Sequence, residues 1–256
     1  MNLWNALTAV TLIGLFMIVP SGTLHATPQK AIVLTTHNLC PYGCFTNKSS
    51  FITPPTPTPL NFKGVAVDVT RCVLTKMNRS LKVLVLPWAR AQYMVKHKQA
   101  DGFFAASKNS SRDQYATISA TIAEQKWQWY LLKESPFSPE QTSFKEKAMV
   151  GGFLGANMLK WMENEGYQVI ARTKNTESLL KLLIKGRVNA VLANNYVMQS
   201  LLEKHKVTTR VKTYLNKDKP LGVYFSNTFL NDNPEFLKRF NNHVPSCRNS
   251  AVFDIN

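Results

Sequence analysis

Acidic side chains are scarce in this chain: 15 Asp and Glu stand against 31 Lys and Arg over 256 residues, a formal net charge of +16. A surplus of that size raises the question of nucleic acid, yet the features that would accompany such a partner are missing. Residues 126–222 hold 16 basic and 8 acidic side chains and the remainder 15 and 7, so the excess is spread evenly. No basic stripe interleaved with aromatics and no nucleic-acid-binding motif occurs. The charge reads as a basic, solvated surface with a bias toward small anions, and no nucleic-acid partner is expected.

Further absences narrow the function. There is no Ser-His-Asp order, no glycine-rich phosphate loop and no internal repeat. Cys40-Pro41-Tyr42-Gly43-Cys44 departs from the two-residue spacing of a zinc knuckle and has no second pair to complete a site, so neither a metal nor a cofactor is expected. Charged residues are 18% and hydrophobic ones 45% of the chain, which excludes disorder outside short loops.

Among the features present, residues 6–19 form an apolar, uncharged run that Pro20 breaks, and Leu24-His25-Ala26 offers a cleavage site. We expect residues 1–26 to be a signal peptide cut after Ala26 and the chain to be exported to the periplasm. A retained anchor helix is the alternative, because Met1 to Asn5 carries no Lys or Arg. No second run of this kind follows. Four cysteines, Cys40, Cys44, Cys72 and Cys247, lie beyond the cut, and an even number in an exported chain predicts disulfides. Four cysteines allow three pairings, which the sequence leaves open.

Residues 27–256 alternate short apolar runs with helical spacings. Strands are predicted over 31–39, 81–86 and 102–106, with helices around 69–77 and 90–98. The pattern restarts with strands over 148–153, 167–172 and 188–193 and helices over 157–165, 178–185 and 196–205. Continuous apolar runs of this kind are parallel strands covered on both faces. Strand-like 127–132 and 221–225 lie between and after the two units, 53–59 is a proline-rich extended loop, and a last helix starts at Pro234, capped by Asp232 or Asn233. That helix has no sheet of its own and must return to the first unit. We therefore expect an α/β fold of two lobes, 27–125 with 223–256 and 126–222, joined by two hinge crossovers with a ligand cleft between them. All four cysteines then belong to the first lobe.

The order of motifs along the chain resembles the family 3 extracellular solute-binding proteins, the polar-amino-acid-binding branch of ABC importers. The motifs are Pro41-Tyr42; Lys63-Gly64-Val65-Ala66-Val67-Asp68; Pro87-Trp88-Ala89-Arg90-Ala91; Asp101-Gly102; Ser111-Arg112 with Tyr115 and Ser119; Val150-Gly151 with Gly155; and Gly186-Arg187-Val188-Asn189-Ala190. The resemblance implies a periplasmic-binding-protein type II fold that closes on a small ligand and serves an inner-membrane permease. It also implies that Arg112 holds a ligand carboxylate, which a guanidinium does through two parallel hydrogen bonds.

Around Arg112 the candidate ligand-binding residues are Ser107 in the polar loop after a strand, Tyr42 and Trp88 as rings at strand ends, and Gly155-Ala156-Asn157, whose backbone opens a helix. The last candidate, Asn194, is a departure. Amino-acid binders of the family place an Asp there against the ligand's ammonium, whereas Asn brings no charge. A carboxylate without the amine then fits better than an ordinary amino acid. No acid or base is poised for catalysis, since the corresponding positions are Asn189 and Asn194, and His37 has no evident partner. The expectation is a monomeric binding protein for an anionic or amino-acid-like small molecule. A sensory module presenting its ligand to a receptor and a dehydratase-like enzyme on the same fold are the alternatives.

Overall fold

The computed structural model describes residues 30–45 and 61–250. The expected signal peptide with its cut after Ala26, and the proline-rich loop at 53–59, lie outside them. The chain opens with strand β1 (Ile32–Thr36), the short pair β2 (Cys44–Phe45) and β3 (Phe62–Lys63), and helix α1 (Val65–Lys76). It continues through β4 (Leu81–Val85), α2 (Trp88–Lys96), β5 (Gly102–Ser107), α3 (Ser110–Asp113) and β6 (Ala116–Ile118). A second series follows: β7 (Lys126–Leu132), α4 (Phe144–Lys147), β8 (Met149–Phe153), α5 (Asn157–Asn164), β9 (Gln168–Thr173), α6 (Thr176–Ile184), β10 (Ala190–Asn194), α7 (Asn195–Lys204) and β11 (Val211–Asp218). The chain ends with β12 (Leu221–Ser226), α8 (Asn227–Asp232) and α9 (Phe236–Ser250).

These strands make two five-stranded sheets, ordered β4-β1-β5-β12-β6 and β11-β7-β10-β8-β9. In each, three neighbours run parallel and one crossover strand runs antiparallel: β12 between β5 and β6, and β7 between β10 and β11. The central strand β5 is buried at all six positions, the pattern of a strand covered on both faces. Helix α1 starts at Gly64, whose φ of 144° a side chain rarely tolerates. A Cβ there would sit 2.5 Å from the carbonyl oxygen of Pro41.

Strand β12 returns the chain to the first sheet after the whole second series. Leu221 and Gly222, placed with the second lobe from sequence, pair with Ser107 and Ala106 of β5, so the first lobe resumes two residues earlier. The final helix also begins later than Pro234. A separate turn of helix, α8, comes first, capped by the Ser226 side chain accepting from the Phe229 N–H, and α9 starts at Phe236. Phe236, Phe240 and Val244 of α9 then pack with Val69 and Val73 of α1 in the core of the first lobe. Cys72 and Cys247 bond these two helices across a separation of 175 residues, and Cys40 bonds Cys44, so all four cysteines are paired within the first lobe.

The two crossovers, 124–126 and 218–220, lie side by side. The Lys219 N–H donates to the Gln125 carbonyl at 2.9 Å, and Gln125 Nε2 donates to the Lys219 carbonyl at 2.8 Å.

Candidate functional site

The carboxyl ends of the parallel strands of both sheets face each other across the cleft, the place where open α/β sheets bind ligands. From the first lobe come His37 just after β1, Trp88 at the start of α2, Ser107 at the end of β5 and Arg112 on α3. The second lobe supplies Trp127 near the start of β7, Ala156 and Asn157 at the start of α5, Thr176 on α6 and Asn194 at the end of β10. They enclose a cavity with about 50 Å3 open to the centres of water molecules, room for roughly four waters.

The lobes touch across this cleft. Asn157 Nδ2 donates to the Ser107 carbonyl at 3.0 Å and to its Oγ at 2.9 Å, and Lys160 Nζ donates to Ser111 Oγ at 2.7 Å.

Arg112 is the one charged side chain among the described residues that wall the cavity. It is only 4% exposed. Its Nε donates to Gln92 Oε1 at 2.9 Å and one terminal nitrogen to the Ser107 carbonyl at 3.0 Å. The guanidinium carbon lies 5.2 Å from the Trp88 ring centre and 5.7 Å from that of Phe103. No ion pair among the described residues includes it. Burial lowers its pKa to about 10, opposed by Tyr115, Tyr224 and Asp113, so it stays a cation at neutral pH. Its hydrogen-bond partners are neutral, and a buried charge without an ion pair is costly.

His37 stacks beside Trp88 with ring centres 4.4 Å apart and faces Phe153 at 6.0 Å. Burial first, and the Arg112 charge second, hold its pKa down at about 3, so the ring is neutral at neutral pH. Its Nδ1 is buried without a hydrogen-bond partner among the described residues, as is Trp127 Nε1.

Of the sequence-predicted site residues, Arg112, Ser107, Trp88, Ala156, Asn157 and Asn194 all wall the cavity. Two do not. Tyr42 is completely buried in the core of the first lobe, where its hydroxyl donates to the Glu124 carbonyl at 2.8 Å and its ring meets Tyr196 edge-on. Burial pushes its pKa up and keeps it protonated. It braces a crossover and lies outside the cavity wall. Gly155 is exposed and lies outside the wall, its positive φ of 79° turning the chain into α5 against Trp88 and Ala89. The N–H of Ala156 is spent on the Phe153 carbonyl at 3.1 Å, and no side chain caps the helix.

Asn194 is engaged on both sides. Its Oδ1 accepts from the Val197 N–H at 3.2 Å, capping α7, and its Nδ2 donates to Gln125 Oε1. Asn189 is spent on the Met149 N–H at 2.8 Å, tying β10 to β8.

Gln125, Trp127 and Thr176, which wall the cavity, and Gln92, which bonds Arg112 from behind it, were not anticipated. For Gln92 a signal existed: it stands four residues after Trp88 on the same helix face and bonds its carbonyl at 3.2 Å, so the helix that presents Trp88 also presents Gln92.

Two lobes with parallel sheets, a double crossover and a cavity between strand ends define the type II periplasmic-binding-protein fold. Solved structures share it at low identity. A histidine kinase sensor domain with similarity to periplasmic binding proteins superposes with a TM-score of 0.72 at 14% identity, covering 86% of this chain and 91% of that one. The substrate-binding protein of an ABC uptake transporter from Streptococcus pneumoniae, with bound histidine, gives 0.69 at 13% over 84% and 86%. ArtJ, the arginine-, lysine-, histidine-binding protein of Geobacillus stearothermophilus, gives 0.68 at 15% over 86% and 90%. No protein-family model and no curated protein matches the sequence.

Proposed function

We propose that this protein captures a small organic carboxylate in the cleft between its lobes, as the periplasmic solute-binding component of an ABC-type importer, and catalyses nothing. The observation that carries this reading is Arg112: a buried guanidinium, braced by Gln92, Ser107 and Trp88, and in no ion pair among the described residues. The ligand supplies the missing anion. Ser107, Trp88, Ala156 and Asn157 complete the ligand shell around it, with Asn194 at the hinge side of the cavity.

The amine of an amino acid finds little here. No Asp or Glu is among the described residues that wall the cavity, and both side-chain atoms of Asn194 are already bonded. The neighbours that bind arginine, lysine or histidine share the fold, while this cavity favours an acid lacking the ammonium group. Absence of catalysis is supported by the cavity's two titratable side chains, a neutral His37 and a braced Arg112, which supply no acid and base pair.

The cavity is too small for an organic acid of several carbons, so the lobes part to admit one, pivoting at 124–127 and 219–223. The superposition on a kinase sensor domain favours a second reading, in which the same closure is read by a membrane receptor.

Mass spectrometry of small molecules released from the denatured, purified protein identifies the ligand. A carboxylate without an amine is expected, and a released amino acid would refute this assignment. Small-angle scattering should show compaction as the ligand is added. An unchanged radius of gyration at saturation would remove the hinge motion.

A further inference from the structure

On the far side of Trp127 from the cavity lies a groove walled by Lys108, Lys160, Lys217 and Lys219. It offers about 460 Å3 open to the centres of water molecules, against about 50 Å3 inside. Trp127 and Asn157 wall both spaces and stand between them. The four lysines come from the loop after β5, from α5, from β11 and from the second crossover, and therefore from both lobes. One carboxylate lines the groove with them, Asp113, and it already accepts the Tyr224 hydroxyl at 2.7 Å.

None of the ion pairs among the described residues includes these lysines. Lys160 is bonded to the neutral Ser111 hydroxyl, and Lys217 lies 4.1 Å over the Trp161 ring. Lys219 lies 5.3 Å over Trp127, and burial, then Lys217 and Lys108, lower its pKa. At the junction sits the Trp127 indole, 2% exposed, whose N–H can only donate and has no partner among the described residues. At the other mouth of the cavity, beyond His37, the comparable Lys204 is paired with Glu177 at 3.7 Å.

We propose that this lysine groove is a second anion subsite, and that the ligand is an elongated dianion. One carboxylate lies on Arg112, an apolar stretch lies along Trp127, and a second carboxylate, sulfonate or phosphate lies among the lysines. The Arg112 half rests on the function proposed above; the groove is the addition. The charged groups there are four lysines against one carboxylate, Asp113, so the second end is an anion. Closing the lobes brings Lys108 toward Lys160, Lys217 and Lys219, and a dianion spanning the junction relieves that repulsion where a monoanion does not.

Calorimetric titration of the full mature chain with succinate, glutarate, adipate and pimelate, each beside the monoacid of equal carbon number, tests this. At least one diacid should bind roughly tenfold or more tighter than its monoacid, with the advantage shrinking as salt is raised. Lys108→Gln with Lys217→Gln removes two of the four charges and should abolish that advantage while leaving monoacid affinity unchanged. A second arm adds inorganic phosphate to the monoacid titrations. Tighter monoacid binding in phosphate would mean that the groove takes a separate anion, and it would overturn the spanning ligand. Diacids no better than monoacids, or an advantage that survives the double substitution, would also overturn it. If monoacid binding persists in Arg112→Gln, the Arg112 reading itself fails, a result distinct from failure of the groove.

Discussion

The first lobe is assembled from the two ends of the described chain and the second from one uninterrupted stretch, and each is held together accordingly. In the first, α1 and α9 are bonded through Cys72 and Cys247. The second has no cysteine. It gathers Trp129, Phe144, Trp161 and Tyr167, with ring centres 5.2 to 6.2 Å apart around Tyr167. Bringing distant segments together costs loop-closure entropy, which a cross-link removes from the unfolded chain. A continuous segment needs no such link, while aromatic packing serves both lobes, as Phe236 and Phe240 do against Phe225 in the first. The cleft divides in the same way: the first lobe contributes the charge of Arg112, and the second contributes the Trp127 donor and the start of α5.

The largest expected effect breaks this comparison directly. Replacing Cys72 and Cys247 with Ser should cost the first lobe about 5 kcal/mol, the chain-entropy value for so long a loop. Denaturant unfolding should then separate into two transitions, with the second lobe's midpoint unmoved. One cooperative transition at a lower midpoint would show that the lobes do not melt independently.

Arg112→Ala comes next. It removes one partner of a buried charge pair and should weaken carboxylate binding by about 2 to 5 kcal/mol by calorimetry. Asn194→Asp in the second lobe, which sets a negative charge on the same cavity, should also weaken it. Affinity left intact by the Arg112 change would place the anion elsewhere.

Per pH unit, a smaller effect follows from His37. Its pKa is about 3 in the fold against 6.5 for an ordinary histidine, so between these values the unfolded chain binds a proton that the native one refuses. Stability is full above pH 6.5 and falls as the pH drops toward 3, by up to about 1.4 kcal/mol per pH unit. His37→Phe should flatten that slope in urea melts between pH 6 and 4. An unaltered slope would assign it to other groups.

The smallest concerns Tyr42. Tyr42→Phe loses one hydrogen bond to a crossover and should cost about 1 kcal/mol of stability. Ligand affinity should not change, whereas a residue stacked on ligand would alter it.

The strands that sequence made legible are those covered on both faces, such as β5 and β10, whose runs of apolar residues leave no alternative. Strand β11 escaped because it is an edge, where half-buried Lys212, Tyr214 and Asn216 alternate with exposed Thr213 and Leu215 and leave no apolar run. The short α8 escaped because Ser226 starts it and nothing in so brief a run repeats. For the cavity, Arg112 and Ser107 were legible as a polar cluster following a buried strand. Tyr42 was misplaced because a ring near a strand end can point into the cleft or back into the core, and only the Glu124 carbonyl waiting behind the crossover decides it. Trp127 and Gln125 belong to no motif. Their roles depend on where the first crossover meets β10, a relation between residues about 70 apart.

Cys72–Cys247 has a mechanical consequence as well. Tension applied between residues 30 and 250 runs along β1 and α1 to Cys72, passes through the sulfurs to Cys247, and leaves by the last turn of α9. Residues 73–246, with both crossovers and the whole second lobe, hang from that shortcut as an unloaded loop. An oxidised chain stretched in a force spectrometer should extend only by the slack outside the loop, and adding reductant should release the length stored within it.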